Sequence, residues 1–240
     1  MANTLHHGDC TVIMQGIADG SIDLILCDLP YAVTQNSWDT LIPFDVLWEQ
    51  YKRIIKPNGA IVLTASQPFT SLLIMSNRKW FKYSLVWKKS RKTGFLNAKK
   101  MPLRQHEDIV VFGRKRITYN PQGTESCEIA NTGRARGGCY GASAPFLQTT
   151  RNYPTSVIEF PSGPNTQHPT QKPVALMEYL IRTYSNEGDT VLDNCMGSGT
   201  TGIAAARNGR HFVGIEQVKK YFDLAQEGIE AAIAEVSAWV

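Results

Sequence analysis

Long apolar runs, a signal peptide and closely spaced cysteines are all missing from this sequence of 240 residues. No apolar run approaches the ~20 residues that a transmembrane helix needs. The N-terminus MANTLHHGDC has neither the charged nor the apolar region of a signal peptide. The five cysteines, an odd number without a close pair, argue against a disulfide framework and a zinc site. We therefore expect a soluble protein of a reducing cytosol, without a bound metal.

Net charge is also low, but it is unevenly distributed. The formal charge of the whole chain is +4. The segment from Lys88 to Arg151 contains thirteen Lys and Arg residues and four acids, so it carries +9 while the remainder carries −5. A partner rich in phosphate is the simplest reason for such a segment. A solvated loop with incidental charge is the alternative.

Apolar segments at strand spacing and at helix spacing alternate along most of the chain. The predicted strands are SIDLILC, AIVLTAS, FKYSLVWKK, EDIVVFGR, SVIEFP, TVLDNC and HFVGIE. The predicted helices are PFDVLWEQYKRII, which KPNG breaks, PFTSLLIMSN, the segment after HPTQKP, TTGIAAARNG and the C-terminal segment. Strands that are apolar on both faces and alternate with helices indicate an α/β protein with a mostly parallel sheet. From about Asn120 to Pro145 no period is sustained, and we predict a functional or mobile loop region there.

A glycine-rich turn follows one of these strands. VLDNCMGSGTTGIAAA predicts a strand, a turn and a helix, and its GSGTTG satisfies the dinucleotide pattern GxGxxG. Glycines allow the backbone to approach a ligand closely. Glu216 ends the next strand, roughly twenty residues further on, where an acid can bind ribose hydroxyls. Together these features predict a ligand that contains a nucleoside.

The stretch LILCDLPYAV places a second unusual turn at a strand end. The strand from Leu24 to Cys27 leads directly into Asp28 and Pro30, and a proline cannot donate to a sheet ladder. In a dinucleotide fold the glycine turn belongs to the first strand–helix unit, but here only one helix follows Glu216. The N-terminal half must therefore supply the missing strands, which predicts a circularly permuted Rossmann-like sheet. In such a sheet both turns lie at the carboxyl ends of neighbouring strands and face one site.

The motifs DLPY, HPTQKP, VLDNCMGSGTT and GIE, with a variable basic segment after the first, resemble the β class of amino-group DNA methyltransferases. These enzymes modify N6 of adenine or N4 of cytosine. The resemblance extends from Gly8 to about Glu216, implies S-adenosylmethionine as cofactor and double-stranded DNA as partner, and allows a homodimer. It implies three parts: a catalytic part (1–90), a basic target-recognition region (91–155), and the cofactor-binding part (156–240) of the same methyltransferase domain.

The resemblance also assigns residues to the cofactor. Glu216 would hold the ribose, and the HPTQKP segment would close over the methionine moiety. Asp9 is placed near the adenine, although an N-cap role suits it at least as well. The full set expected at the cofactor is Asp9, Asp28, Thr170, Lys172, Pro173, Asp193, Asn194, Cys195, Gly197, Ser198, Gly199, Thr200 and Glu216.

Two positions depart from the family pattern. Leu29 replaces the first proline of the usual DPPY motif, and Cys195 stands where phenylalanine is usual. Leu29 still offers its backbone carbonyl. Cys195 is smaller than phenylalanine, so we expect a looser cofactor pocket. A catalytic thiol at Cys195 is disfavoured because the sequence shows no base beside it.

The DLPY turn suits methyl transfer to an exocyclic amino group. The nitrogen of such a group is a poor nucleophile because its lone pair is delocalised into the ring. Asp28 and the Leu29 carbonyl can each accept one of its N–H groups, which localises the lone pair and stabilises charge that develops in the transition state. Pro30 stiffens the turn, and Tyr31 offers an aromatic face to a base flipped out of the duplex.

Further residues are predicted to contact DNA. Trp87 is a second stacking candidate, with a half-buried strand tryptophan as the alternative. Residues expected to neutralise phosphates are Lys88, Lys89, Arg91, Lys92, Lys99, Lys100 and Arg104. Residues expected to contact base edges are Arg134, Arg136 and Arg151.

Adenine is the predicted target, because Asp in the first position of the motif resembles the adenine enzymes, whereas serine is commoner in the cytosine amino enzymes. N4-cytosine methylation is the close alternative. A non-catalytic DNA-binding relative is a second class, opposed by the intact Asp28, Tyr31 and Glu216. A nicotinamide-dependent enzyme is a third class, and the order of the strands opposes it.

Overall fold

Two units make up the computed structural model, which describes residues 3–31, 40–133, 144–162 and 171–238. The larger unit comprises Met1–Asn120 and Ser156–Val240, and the smaller comprises Pro121–Thr155. The candidate site lies in the larger unit, so its architecture is given in most detail.

Strands and helices alternate along the described chain as the sequence pattern predicts. The strands are β1 (Thr4–His7), β2 (Ile22–Cys27), β3 (Ile55–Ala65), β4 (Phe81–Thr93), β5 (Arg104–Phe112), β6 (Glu125–Asn131), β7 (Phe146–Arg151), β8 (Val157–Phe160), β9 (Thr190–Asp193) and β10 (His211–Glu216). The helices are α1 (Cys10–Ile13), α2 (Phe44–Ile54), α3 (Phe69–Ser76), α4 (Val174–Tyr184), α5 (Thr200–Arg207) and α6 (Lys219–Ser237). Among these helices, none combines the length and the apolarity that a bilayer crossing requires.

One eight-stranded sheet runs through the larger unit in the order β1-β10-β9-β2-β3-β5-β4-β8. Only the pairings of β5 with β3 and with β4 are antiparallel, and the other five are parallel. The strand before the glycine turn, β9, pairs directly with β2, the strand before DLPY. The predicted permuted, mostly parallel sheet is therefore confirmed, and both turns leave the same edge of it.

Both faces of this sheet are covered, because successive residues of a strand point to opposite faces. In β2, Leu24 and Leu26 belong to one buried cluster, together with residues of α4, α5 and α6. Ile25 and Cys27 belong to the other, together with residues of α2 and α3. This explains why the strands carry near-continuous apolar runs instead of an alternating pattern.

The structure corrects the boundary after α2. KPNG was predicted to separate a helix from a strand; α2 does end before it, at Ile54, but β3 already begins at Ile55 and includes KPNG. The extra residues form an irregularity in the pairing of β3 with β2. Gly59 is required there, since an added Cβ would lie 2.8 Å from the backbone oxygen of Asp23.

Three further strands were not predicted. β1 precedes the first predicted strand and adds parallel to β10. In the smaller unit, β6 lies within the segment that was predicted to be a loop region, and it pairs antiparallel with β7, which follows that segment. These strands are mostly exposed, so they lack the buried apolar face that makes a strand recognisable in a sequence.

Candidate active site

A cavity of about 890 Å³ lies at the sheet edge where β2, β9 and β10 end. Its volume falls within the usual range for sites that bind small molecules and cofactors. The DLPY turn lines it with Asp28 to Tyr31, and the glycine turn lines it with Cys195, Met196, Gly197 and Ser198. The two turns therefore open into one cavity, as the strand order predicted.

The Asp28 carboxylate is held by three side chains from different parts of the chain. The hydroxyl of Tyr31 donates to its Oδ1 at 2.7 Å. The hydroxyl of Thr64, near the end of β3, donates to the same oxygen. The ammonium of Lys172 lies 2.5 Å from Oδ2. These contacts fix the orientation of the carboxylate toward the cavity, and the sequence analysis identified neither Thr64 nor the contact with Lys172.

Lys172 lies between two carboxylates. Besides Asp28, its Nζ approaches Oε2 of Glu107 at 3.4 Å, and Glu107 in turn pairs with Lys89 at 2.8 Å. Only 8% of Lys172 is exposed. Burial opposes the charge of Lys172, but Asp28 and Glu107 outweigh it and raise its pKa. Lys172 therefore stays charged beside the Asp28 carboxylate, a contact that the sequence analysis did not predict.

Tyr31 and Leu29 complete the turn. The ring of Tyr31 stacks on Phe69 with centroids 5.0 Å apart. Burial, Asp28 and Glu107 raise the pKa of the Tyr31 phenol, so it stays neutral and can donate. The side chain of Leu29 is buried in the core, 4% exposed, so the backbone is what this residue offers to the cavity. The predicted roles of Tyr31 in base stacking and of the Leu29 carbonyl stay predictions.

The far side of the cavity suits a nucleoside cofactor. Gly197, with a φ of +52°, donates its N–H to Oε2 of Glu216 at 2.9 Å. Val218 donates to Oε1 of the same carboxylate at 2.7 Å. Burial raises the pKa of Glu216, although these backbone N–H groups partly offset the effect. An acid fixed in this way at the end of a strand is what ribose hydroxyls require, so the residues present fit the ligand predicted from the sequence.

Asp193 is buried beneath the glycine turn. It is 3% exposed, and its Oδ1 accepts the N–H of Cys195 at 3.1 Å. Burial raises its pKa from 3.8 to about 6, against the lowering effect of the hydrogen bonds from Thr201 and Cys195. Between those two pH values the folded protein retains a proton that the unfolded chain releases. Stability therefore falls as pH rises through this interval and stays lower above it.

Replacing Asp193 with asparagine is expected to raise the free energy of unfolding at pH 7.5, since an amide carries no charge to desolvate. At 1.36 kcal/mol per pKa unit, the gain is about 3 kcal/mol, and it should vanish near pH 4. Urea denaturation of Asp193→Asn at both pH values, without cofactor, measures it. The exposed Asp19→Asn is the control, and an equal gain at both pH values would contradict the argument.

Three predicted cofactor residues do not line the cavity. The side chain of Asn194 is 1% exposed, and its Oδ1 accepts the hydroxyl of Tyr51 at 2.5 Å, so it joins the turn to α2. An added Cβ on Gly199 would lie 2.8 Å from that of Ala225, so this glycine permits α5 to pack on α6. Pro173 precedes the first residue of α4. The structure therefore places these three residues in the scaffold around the cavity and not in its lining.

Asp9 and Cys195 both line the cavity. Asp9 caps α1 by accepting the N–H and the hydroxyl of Thr11, each at 2.7 Å, which is the alternative weighed for it. Neighbouring Cys10 and Cys27 thiols, together with burial, raise the pKa of Cys195 well above its usual value. A reactive thiolate is disfavoured there. Thr170 lies outside the described residues.

Comparison with known proteins identifies the family. A family model of N6 and N4 methyltransferases, described as DNA methylase, matches residues 22–227. The chain belongs to the DNA methylase family. The resemblance stated from the sequence is thus confirmed, and with it the α/β methyltransferase fold, DNA as partner and S-adenosylmethionine as cofactor.

Individual relatives extend over nearly the whole DNA methylase chain. The DNA adenine methyltransferase YhdJ of Escherichia coli (strain K12) is 31% identical, over 96% of this chain and 84% of YhdJ. The crystal structure of the M1.HpyAVI–SAM complex is 26% identical with a TM-score of 0.63, over 94% of this chain and 98% of that one. PvuII DNA methyltransferase, which is cytosine-N4-specific, has a TM-score of 0.70 over 98% and 93% at 16% identity, which shows the fold alone.

The lysine and arginine residues predicted to contact phosphates differ in exposure and in ion pairing. Lys88 pairs with Glu159 at 2.7 Å, and Lys89 is 15% exposed and pairs with Glu107 in the cavity wall. The exposed members that form no ion pair within the described chain are Arg91, Lys92, Lys99, Lys100 and Arg104. In the smaller unit, Arg151 pairs with Glu125 at 2.9 Å. Arg134 and Arg136 lie outside the described residues.

Trp87 is a core residue, so the prediction that it stacks on a base is wrong in this structure. Its side chain is 3% exposed within the cluster that α4 covers, and its Nε1 donates to the carbonyl of Phe160 at 3.0 Å. β8 pairs with β4 at this point and covers the ring. A single strand sequence could not reveal this, because the covering strand lies some seventy residues away.

Replacing Trp87 with alanine is expected to destabilise the methylase by ~3–5 kcal/mol, the usual cost of truncating a buried aromatic residue. Trp87→Phe should lose less, since it gives up mainly the hydrogen bond to Phe160. Thermal unfolding measures both variants. A loss of less than ~1 kcal/mol in Trp87→Ala would contradict the core position of the indole.

Proposed function

We propose that this DNA methylase transfers a methyl group from S-adenosylmethionine to N6 of adenine in duplex DNA. The observation that carries the proposal is the meeting of the DLPY and glycine turns at one cavity. One turn presents an anchored carboxylate, and the other presents bare backbone beside Glu216. A reacting amino group and a methyl donor can therefore be held side by side, which supplies the proximity on which the transfer depends.

Each turn has a distinct task in this mechanism. S-adenosylmethionine, when bound, supplies a methyl group activated on a sulfonium. Glu216 would hold the ribose, and the backbone of Gly197 and Ser198 would lie beside the methionine moiety. Asp28 would accept one N–H of the target amino group, and the Leu29 carbonyl would accept the other. The nitrogen lone pair, localised in this way, is directed toward the methyl group.

The contacts of Asp28 explain how this carboxylate is kept ready. Tyr31, Thr64 and Lys172 each occupy one acceptor position on its two oxygens. A carboxylate has about four such positions, so one remains for the substrate. Lys172 stabilises the ionised form, which is the form that accepts hydrogen bonds from an amino group.

Adenine is proposed over cytosine on two grounds. The first residue of the motif is Asp28, as the resemblance to adenine enzymes requires. In addition, YhdJ, a relative at 31% identity, is named a DNA adenine methyltransferase. The fold does not discriminate, since the cytosine-N4-specific PvuII enzyme shares it.

We also propose that residues 91–155 recognise the target sequence, between the catalytic part (1–90) and the cofactor-binding part (156–240). The basic charge of this region supports a role on DNA. A homodimer, which the family resemblance allows, stays a prediction that sedimentation of the pure protein tests.

Nucleoside mass spectrometry tests the proposed function. Unmethylated plasmid is incubated with the protein and S-adenosylmethionine carrying a heavy methyl group, then digested to nucleosides. Heavy N6-methyl-2′-deoxyadenosine is expected, and long-read sequencing of the same plasmid then gives the recognition sequence. Heavy methyl on N4 of cytosine would overturn the adenine assignment. Absence of label, with cofactor binding demonstrated by calorimetry, would overturn the enzymatic proposal in favour of a non-catalytic DNA-binding protein.

A further inference from the structure

The connection between β4 and β5 exposes apolar side chains at its tip. Phe95 is 68% exposed, Leu96 is fully exposed at 101%, and Met101 is 53% exposed. Single exposed apolar residues are ordinary on protein surfaces, but three within seven residues form a patch. We call residues 94–101 the apolar tip.

The apolar tip is an ordered structure. Gly94, with a φ of +92°, begins it, and Phe95–Asn97 form a 3₁₀ turn. The carbonyl of Asn97 then accepts the N–H groups of Lys100 and Met101 at 2.8 and 3.0 Å. Its base is the last pair of the β4–β5 ladder, Thr93 with Arg104. Because the backbone is hydrogen-bonded from within, the exposed rings and methyl groups are presented in a defined position, which lowers the entropic cost of inserting them into a partner.

The surroundings of the apolar tip indicate the chemistry of that partner. The segment from Lys88 to Arg104 contains seven basic residues and no acid. Arg91 and Lys92, just before the tip, and Lys99 and Lys100, within it, are all exposed. Such a density of cations around an apolar patch suits a polyanion with an apolar interior. Duplex DNA is such a partner, and we choose it because the chain belongs to the DNA methylase family.

The apolar tip extends from the wall of the active-site cavity, which indicates the part of the DNA that it would contact. Thr93 and Arg104, which form its base, both line the cavity that contains Asp28. A target base in this cavity must have left the duplex, and the vacated step is then beside the cavity mouth. The apolar tip, which continues from the cavity wall, is placed to reach that step.

We propose that the apolar tip inserts into the duplex and fills the gap left by the flipped adenine, with Leu96 and Phe95 as the inserted side chains. This inference rests on the proposed function. Insertion buries apolar surface that is otherwise in water and compensates for the stacking that the target base loses. The flanking Lys and Arg residues hold the phosphates on both sides of the gap. The tip thereby stabilises the flipped state and takes no part in methyl transfer itself.

The test compares two duplexes that carry the recognition sequence found by sequencing. In one, the target adenine is paired with thymine, and in the other it lies opposite an abasic site, so that it is already unpaired. The double variant Phe95→Ala/Leu96→Ala is expected to lower kcat/KM at least ~10-fold on the paired duplex and less than about threefold on the unpaired one, because prior disruption removes part of the flipping cost. Met75→Ala, which truncates an apolar side chain that is 65% exposed on α3, is the control and should change neither value.

Each other outcome overturns the proposal. Equal loss on both duplexes would mean that the tip binds DNA without filling a gap. No loss on either would mean that it does not reach the flipped step. A changed sedimentation coefficient in the double variant, with equal loss on both duplexes, would make the tip a contact between copies of the chain. Failure of the proposed function is distinguishable, because the unaltered protein would then methylate adenine in neither duplex.

Discussion

Asp28→Asn is expected to lower kcat for methyl transfer by about 10²–10³-fold, the cost of removing one preorganised electrostatic contact from an active site. An amide retains an oxygen acceptor, but it lacks the negative charge that stabilises the positive charge developing on the nitrogen. Asp28→Ala, which removes the acceptor entirely, should abolish transfer. Initial rates with radiolabelled cofactor measure both losses, and calorimetry should show cofactor binding preserved, because Gly197 and Glu216 are untouched.

The two Asp28 variants together separate a loss of catalysis from a loss of folding. Asp28→Ala leaves the ammonium of Lys172 with only Glu107 at 3.4 Å, and a buried charge without its partner destabilises the fold. Asp28→Asn keeps the shape of the turn, so its loss of rate is not an effect of unfolding, and circular dichroism checks this. Asp19→Asn, on an exposed carboxylate, should retain full activity. If both Asp28 variants transferred methyl groups at near wild-type rates, the mechanism proposed here would be wrong.

Lys172→Met should lower kcat by about 10²-fold and leave the dissociation constant of S-adenosylmethionine within about threefold of its original value. Met has a similar length but no charge, so Asp28 loses both its 2.5 Å contact and the cation between itself and Glu107. Initial rates with radiolabelled cofactor measure kcat, and calorimetry measures the dissociation constant.

The same variant decides between two roles for Lys172. The family resemblance assigns this residue to the segment that closes over the methionine moiety. If the resemblance describes its main contribution, calorimetry of Lys172→Met will show at least ~10-fold weaker cofactor binding with kcat unchanged. Lys172→Arg, which keeps the charge in a different shape, should recover part of the rate. Glu107→Gln should reproduce a smaller part of the loss, since Glu107 acts on Asp28 only through Lys172.

Most of the scaffold of this site could be predicted from local patterns. Runs such as LILC and VLDN specify buried strands because a strand covered on both faces needs apolar residues in succession. The order of DLPY, HPTQKP and GSGTTG placed the two turns on one site because carboxyl ends of neighbouring parallel strands share an edge. The residues at strand ends, Asp28 and Glu216, were found for the same reason.

Residues that act through distant partners could not be found in this way. Glu107 lies at the start of β5, which is antiparallel to β3, so it reaches the cavity from the opposite chain direction. Nothing in HEDIVVF reveals that direction. Trp87 was predicted to be available for stacking. Its burial could not be predicted from the local sequence, because β8, which covers it, follows only after the smaller unit. The predicted roles of Arg134, Arg136 and Thr170 stay untested.

The sequence alone therefore determined the family, the permuted order of the sheet and the carboxylate, Asp28, that lines the cavity, since these depend on short motifs and on their order. Only the tertiary structure decided which charges meet. It brought Lys172 to Asp28 across 144 positions of sequence, turned Asn194 into the core and left Leu96 outside it. The reason is physical: periodicity records which face of an element is buried, but the partner of a polar or aromatic side chain depends on how distant elements pack.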